Sequence, residues 1–249
     1  MFDFSIFLNA SEGIMYSDIP IISGVVMSIV HVISGPDHLA AVTPLAIDSR
    51  KKSWSVGFAW GMGHTIGMLI IGLIFLMVKE QLDVDLVSKY GEQFVGFLLI
   101  AIGIWALVRI KTRHGGKHKH VHPHVHEDLV HIHAHTHESE EAHKHAHRLK
   151  HRQNLFSALG IGIMHGVAGV SHIIAIIPTM GFESRTGSGL YLGGFVVGTL
   201  IAMVSYAYTL GLISQKSETA NKNLSVFLRI FGGLLAIGVG IFWIVNTLL

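Results

Sequence analysis

Polar and charged positions fall in clusters along this chain. They leave apolar stretches at about residues 20–46, 54–78, 92–110, 154–180, 189–213 and 224–248. A helical bilayer crossing takes about 20 predominantly apolar residues, so each stretch predicts one transmembrane helix. The six together predict an all-α, polytopic membrane protein. The expected organisation is a segment over 1–19, three spans over 20–110, a polar loop over 111–153 and three spans over 154–249. Segment 1–19 carries Asp3, Glu12 and Asp18 but no Lys or Arg. It lacks the basic start of a cleavable signal peptide and is expected to be retained.

Composition strengthens this reading and removes alternatives. In 249 residues, 50% are hydrophobic and 14% charged, and the mean hydropathy is +0.53. That is too apolar for an ordinary soluble domain, and six spans leave little chain for a separate catalytic domain, so no enzyme is expected. With no cysteine, thiolate metal sites, iron–sulfur clusters and disulfide chemistry are excluded. No phosphate-cradling Gly-x4-Gly-Lys-[Ser/Thr] motif is present, which argues against ATP drive by this chain. Nothing points to nucleic acid as a partner.

Of the 18 Lys and Arg residues, Lys79, Lys89 and Arg185 fall on one side of the predicted membrane and the other 15 on the opposite side. The positive-inside rule makes the richer side cytoplasmic. Both termini are then extracytoplasmic and the 111–153 loop cytoplasmic, in a cytoplasmic (inner) membrane.

The chain also resembles itself. His31-Val-Ile-Ser-Gly35-Pro-Asp-His38, followed by Pro44, reappears at an offset of 134 as His165-Gly-Val-Ala-Gly169-Val-Ser-His172, followed by Pro178. Gly57, Phe58 and Gly61 recur as Gly194, Phe195 and Gly198, and Phe94, Gly96, Leu98 and Gly103 as Phe231, Gly233, Leu235 and Gly240, both at offset 137. Three spans per half is an odd number, so the copies are predicted to be inverted in the membrane, a plan common among secondary transporters. Gly35-Pro36 and Gly169 predict a break in the first helix of each half.

Inside the predicted spans lie His31, Asp37, His38, His64, His165 and His172. Intramembrane ionisable side chains are costly and by default mark an ion or substrate path. Imidazoles with a carboxylate suit nickel, cobalt or zinc, whereas magnesium or calcium would want mainly oxygen. On an unbroken helix His31 and His38 would stand about 10.5 Å apart along the axis, too far to hold one ion. A break at Gly35, ligands shared between the halves, or successive stations along a path each remain open. Gly57, Gly61 and His64 share a helical face that should press His64 against a neighbouring helix.

The loop carries a second concentration of imidazoles. His118, His120, His122, His124, His126, His131, His133, His135 and His137 alternate with other residues in HxH patterns. Without apolar periodicity the segment is expected to be disordered and to capture metal ions.

The His31/Asp37-His38 group, the Gly-Met-Gly-His64-Thr segment and His165-Gly-Val-Ala-Gly resemble the nickel/cobalt transporter superfamily. The likeness is closest to its short urease-accessory-H-like members, and the histidine-rich loop resembles its efflux branch. The family's first motif places four residues between His and Asp-His; here five separate His31 from Asp37. The resemblance implies transport of Ni²⁺ or Co²⁺, with His31, Asp37 and His38 essential. His64 and His165 match its later motifs less specifically. The expected function is secondary transport of Ni²⁺ or Co²⁺, with Zn²⁺ as a further candidate, by alternating access. Proton coupling and a lean to efflux are expected, with no permanently bound cofactor. A homo-oligomer and a cytosolic metal-delivery protein are candidate partners. The rival readings are a membrane-embedded haem or metal redox protein and a metal-responsive receptor without transport.

Overall fold

The computed structural model describes residues 19–78, 84–114, 119–126, 129–136, 144–168, 182 and 184–248. Its helices are α1 (Pro20–Ser34), α2 (Pro36–Ser49), α3 (Ser53–Val78), α4 (Val84–His114), α5 (Lys144–Ala168), α6 (Arg185–Ala220) and α7 (Lys222–Leu248). A 3₁₀ turn, Arg50–Lys52, links α2 to α3. Among the described residues four helical stretches are long and apolar enough to cross a membrane: Pro36–Ile74, Lys89–Ile110, Arg185–Ala220 and Asn223–Leu248. Pro20–Ser34 and Asn154–Ala168 are shorter apolar helices. Large apolar side chains such as Ile33, Leu73, Met77, Phe97 and Phe242 are exposed on the outside, the surface a protein presents to lipid rather than to water. The chain is a helical membrane protein.

The first predicted span is two helices joined at Gly35, and its local sequence explains why. Pro36 has no N–H to continue the helix, and a residue before proline is pushed out of the α region. Gly35 accordingly takes φ −91° and ψ 96°, and its own N–H closes α1 on the His31 carbonyl at 3.1 Å. Pro36 then occupies the first turn of α2, where a missing donor costs nothing. Asp37 follows in the same turn, where a carboxylate meets the positive end of the helix dipole.

α2 is the centre of the molecule. Asp37, His38 and every residue from Ala40 to Ile47 are buried, and α2 packs against all six other helices. Around it the principal pairs are α1 with α6, α3 with α5 and α4 with α7. Several helices extend past the apolar runs that predicted them: α4 reaches His114, α5 starts at Lys144 and α6 runs to Ala220. Helical hydrogen bonding continues into water once an apolar stretch has nucleated it.

Within the 111–153 loop the described residues include an antiparallel hairpin, β1 (Lys119–His126) with β2 (Leu129–Thr136). The HxH alternation has a period of two, which is the period of a strand, and Val121, Val125, Val130 and Ile132 favour extended backbone.

At one end of the bundle, polar side chains tie the helices together. Asp48 accepts from Arg229 Nη1 at 2.9 Å through Oδ1, and its Oδ2 lies 3.2 Å from Arg109 Nη1. Asn154 accepts from Arg109 at 3.3 Å and donates to Ser49 Oγ at 3.0 Å. This cluster joins α2, α4, α5 and α7.

Candidate metal centre

The break at Gly35 turns a stretched motif into a compact one. His31 ends α1, Asp37 and His38 begin α2, and the chain reversal brings the His31 and His38 ring centroids to 4.7 Å. Gly35 is sterically required there. A Cβ at Gly35 would lie 2.9 Å from Asp37 Oδ1 and would run into His38 Nδ1, so the turn has room for glycine only.

α3 and α5 deliver the other two imidazoles. They cross at backbone contact: a Cβ on Gly162 would meet the His64 nitrogen at 3.0 Å, and one on Gly166 would meet Gly67 Cα at 3.0 Å. Small residues allow this approach, and it sets His64 and His165 with ring centroids 5.7 Å apart. The face expected to press His64 onto its neighbour proves to be divided. Gly57 and Gly61 face Met203 and Leu200 of α6, while Gly63 and Gly67 admit α5.

The five groups converge on His38. Its ring lies 5.0 Å from those of both His64 and His165. Asp37 Oδ1 is 3.1 Å from His38 Nδ1, and Asp37 Oδ2 is 3.1 Å from His165 Nε2. Two triads result, His31–His38–His64 and Asp37–His38–His165, each with ligand atoms within 4.8 Å of one another. His64 and His165 are fully buried, and His38 and Asp37 nearly so; His31 retains partial exposure and forms the rim. Three or four nitrogens with one carboxylate oxygen make a donor set for a borderline transition-metal ion, and small ligand-to-ligand rearrangements would suffice to close on it.

Of the site residues expected from the sequence, His31, Asp37, His38, His64 and His165 are brought together. His172 lies outside the described residues, as do His118 and His137. His120, His122, His124, His126, His131, His133 and His135 occupy the two strands. Sequence reasoning missed Trp60, which is fully buried and stacked on His64 at 4.8 Å and 11°. Its position one helical turn before His64 was a usable signal. Phe195, 5.7 Å from the His31 ring, had no such local signal because it comes from α6.

Fold and site together define a polytopic helical membrane protein with an imidazole–carboxylate cluster in its interior. Over residues 21–242 the chain matches the family described as the cytochrome c biogenesis protein transmembrane region, and it belongs to that family. Among curated proteins it is similar to the chloroplast proteins FOR GROWTH AND FERTILITY 2 and 1 of Arabidopsis thaliana. The first is 30% identical over 87% of this chain and 53% of its own length, and the second 29% identical over 88% and 57%. The chain thus spans just over half the length of these two relatives. It is also 28% identical to the urease accessory protein UreH of Bacillus sp. (strain TB-90), over 84% of this chain and 83% of that protein. No solved structure matches it.

Proposed function

We propose that this protein carries a divalent transition-metal ion, nickel before cobalt or zinc, across the membrane through the His31/Asp37/His38/His64/His165 centre. The observation that carries the reading is the convergence of four imidazoles and one carboxylate from α1, α2, α3 and α5 on one point of a membrane-embedded core. Intramembrane groups of this kind are costly and are rarely kept without an ion path to serve. The likeness to a urease accessory protein and the motif resemblance to nickel/cobalt transporters favour nickel.

The packing supports an inverted repeat of three spans each. If α1 corresponds to α5, α3 to α6 and α4 to α7, then the α1–α6 pair exchanges with α3–α5. The α4–α7 pair maps onto itself. Within that last pair a Cβ on Gly240 would approach the Gly96 carbonyl oxygen to 2.5 Å, and one on Gly103 the Gly233 carbonyl to 2.5 Å. The correspondence exchanges these two contacts. Such a pseudo-two-fold frame suits alternating access around a central site, with the ion entering past the rim residue His31.

In this reading Asp37 supplies the charge that partly neutralises the cation. The imidazoles must be neutral to bind, so entry of the metal displaces protons. That makes proton exchange the natural coupling, with export from the cytoplasm as the proposed direction. Asp48, bridging Arg109 and Arg229, would hold one end of the bundle closed.

The family's description directs attention to a second reading, haem or another redox cofactor on the same histidines. The site does not fit haem. Adjacent ring centroids stand 4.7–6.0 Å apart and the rings pack directly on one another and on Trp60, leaving no slot for a macrocycle. Without cysteine, the chain has no thiol relay of its own.

The test is Ni²⁺, Co²⁺ and Zn²⁺ flux in sealed proteoliposomes, with wild type against Asp37→Asn and His38→Ala, with and without a pH gradient. Saturable flux lost in both variants supports the proposal. Metal-independent, folded protein with no flux for any of the three ions overturns it.

A further inference from the structure

Trp60 touches three of the four imidazoles of the centre. Its ring lies nearly flat on His64, with centroids 4.8 Å and planes 11° apart. It meets His38 edge-on at 5.7 Å and 72°, and His165 stands 5.5 Å away at 53°. His31 also stacks on His64, at 6.0 Å and 23°, so two rings hold the plane of that imidazole. The main stack follows from the sequence, since residues four apart on α3 are neighbours on one helix face. The backbone beneath it is pinned as well, because a Cβ at Gly162 of α5 would run into the Trp60 carbonyl oxygen. Trp60, His64 and His165 are all fully buried.

We propose that Trp60 is a positioning residue of the metal centre, which presets the plane of His64 and keeps water off the ion, so that protein ligands alone hold it at a low coordination number. This rests on the reading of the five-residue cluster as the ion site. An imidazole binds a metal along a lone pair that lies in the ring plane, so fixing the plane fixes the directions His64 can offer. A ligand ordered before the ion arrives has less freedom to lose on binding. The indole occupies the α3 wall of the cluster, where an open wall would admit a water ligand. Specificity follows from this dryness. Mg²⁺ demands near-ideal octahedral geometry and usually keeps several waters, so a closed, nitrogen-rich site rejects it. An ion that accepts four protein ligands, as Zn²⁺ does, loses nothing there.

Coordination geometry identifies a site, and the visible bands of Co²⁺ are far stronger in four-coordinate than in six-coordinate surroundings. The measurement is visible absorption of the full-length protein in detergent, titrated with Co²⁺. The spectrum of Asp37→Asn/His38→Ala is subtracted, so that the shared contribution of the histidine-rich loop cancels. We expect strong bands in wild type and nearly the same bands in Trp60→Phe, which keeps a flat ring against His64. In Trp60→Leu the bands should collapse to the weak six-coordinate form, with affinity about ten-fold lower, as loss of a supporting group costs a metal site. A purely structural role would lower stability without changing band strength per bound ion. Because exchanging a buried tryptophan for a smaller side chain can unfold a protein, a second readout uses only wild type and Trp60→Phe. Ni²⁺ should quench a larger fraction of the tryptophan fluorescence in wild type than in Trp60→Phe. Weak bands already in wild type, unchanged bands per bound ion in folded Trp60→Leu, or equal fractional quenching would each overturn the assignment of Trp60. If wild type and Asp37→Asn/His38→Ala absorb alike, the metal-centre reading beneath it falls instead.

Discussion

Asp37 and His165 meet at 3.1 Å, Oδ2 to Nε2, although one begins α2 and the other lies near the end of α5. The contact joins the two halves of the chain at a point buried from both sides. It places the one carboxylate of the cluster where it touches both His165 and His38. Asp37→Asn keeps the shape and removes the charge. It should lower Co²⁺ affinity by more than the roughly 10- to 100-fold that loss of a supporting partner costs a metal site, and visible absorption of bound Co²⁺ would read this directly. An affinity within a factor of about three of wild type would place the ion elsewhere.

Gly35 is replaceable by conformation but not by space. Its φ of −91° is open to any residue, yet a Cβ there would collide with the Asp37 carboxylate and the His38 ring. Gly35→Ala should therefore cost about 1–3 kcal/mol, the usual range for overpacking, and should weaken metal binding by turning His38 away. Thermal denaturation in detergent and a Co²⁺ titration would separate the two effects.

Metal binding should weaken as the medium becomes acidic. Each ligand imidazole must be deprotonated to coordinate, so protons compete with the ion and binding releases them. Repeating a Ni²⁺ titration in buffers of different ionisation enthalpy would count the protons released. A count of zero across neutral and mildly acidic pH would remove the basis for proton coupling.

The two ion-pair systems at the same end of the bundle should behave differently. Asp48 is 8% exposed and faces Arg109 and the 13%-exposed Arg229. Asp48→Ala should destabilise by about 2 kcal/mol, more than an exposed pair is worth, because it leaves two partly buried cations without their shared carboxylate. Arg50 and Glu218 are 44% and 36% exposed, and Arg50→Ala should cost no more than about 1 kcal/mol through the lost pair. Equal melting-temperature shifts for the two variants would contradict this assignment.

By itself the sequence determined the membrane-embedded helical class, the break at Gly35-Pro36 and the identity of the ligand-type residues. Each of these rests on local physics: apolar runs long enough to be helices in lipid, a proline that cannot donate, and ionisable groups in places where they are costly. Sequence also held the strand signal in the HxH alternation, although the low apolar content of the loop pointed toward disorder. Only tertiary structure decided that His31 and His38, far apart on a straight helix, come within ring contact. It also decided that His64 and His165 complete the cluster, that Trp60 stacks on His64, and that Asp48 answers Arg109 and Arg229. Those outcomes depend on which helix backbones approach most closely, as α3 and α5 do through Gly63, Gly67, Gly162 and Gly166. Glycine spacing along one helix shows that a close approach is possible, but the partner is chosen by the packing of the six other described helices around α2.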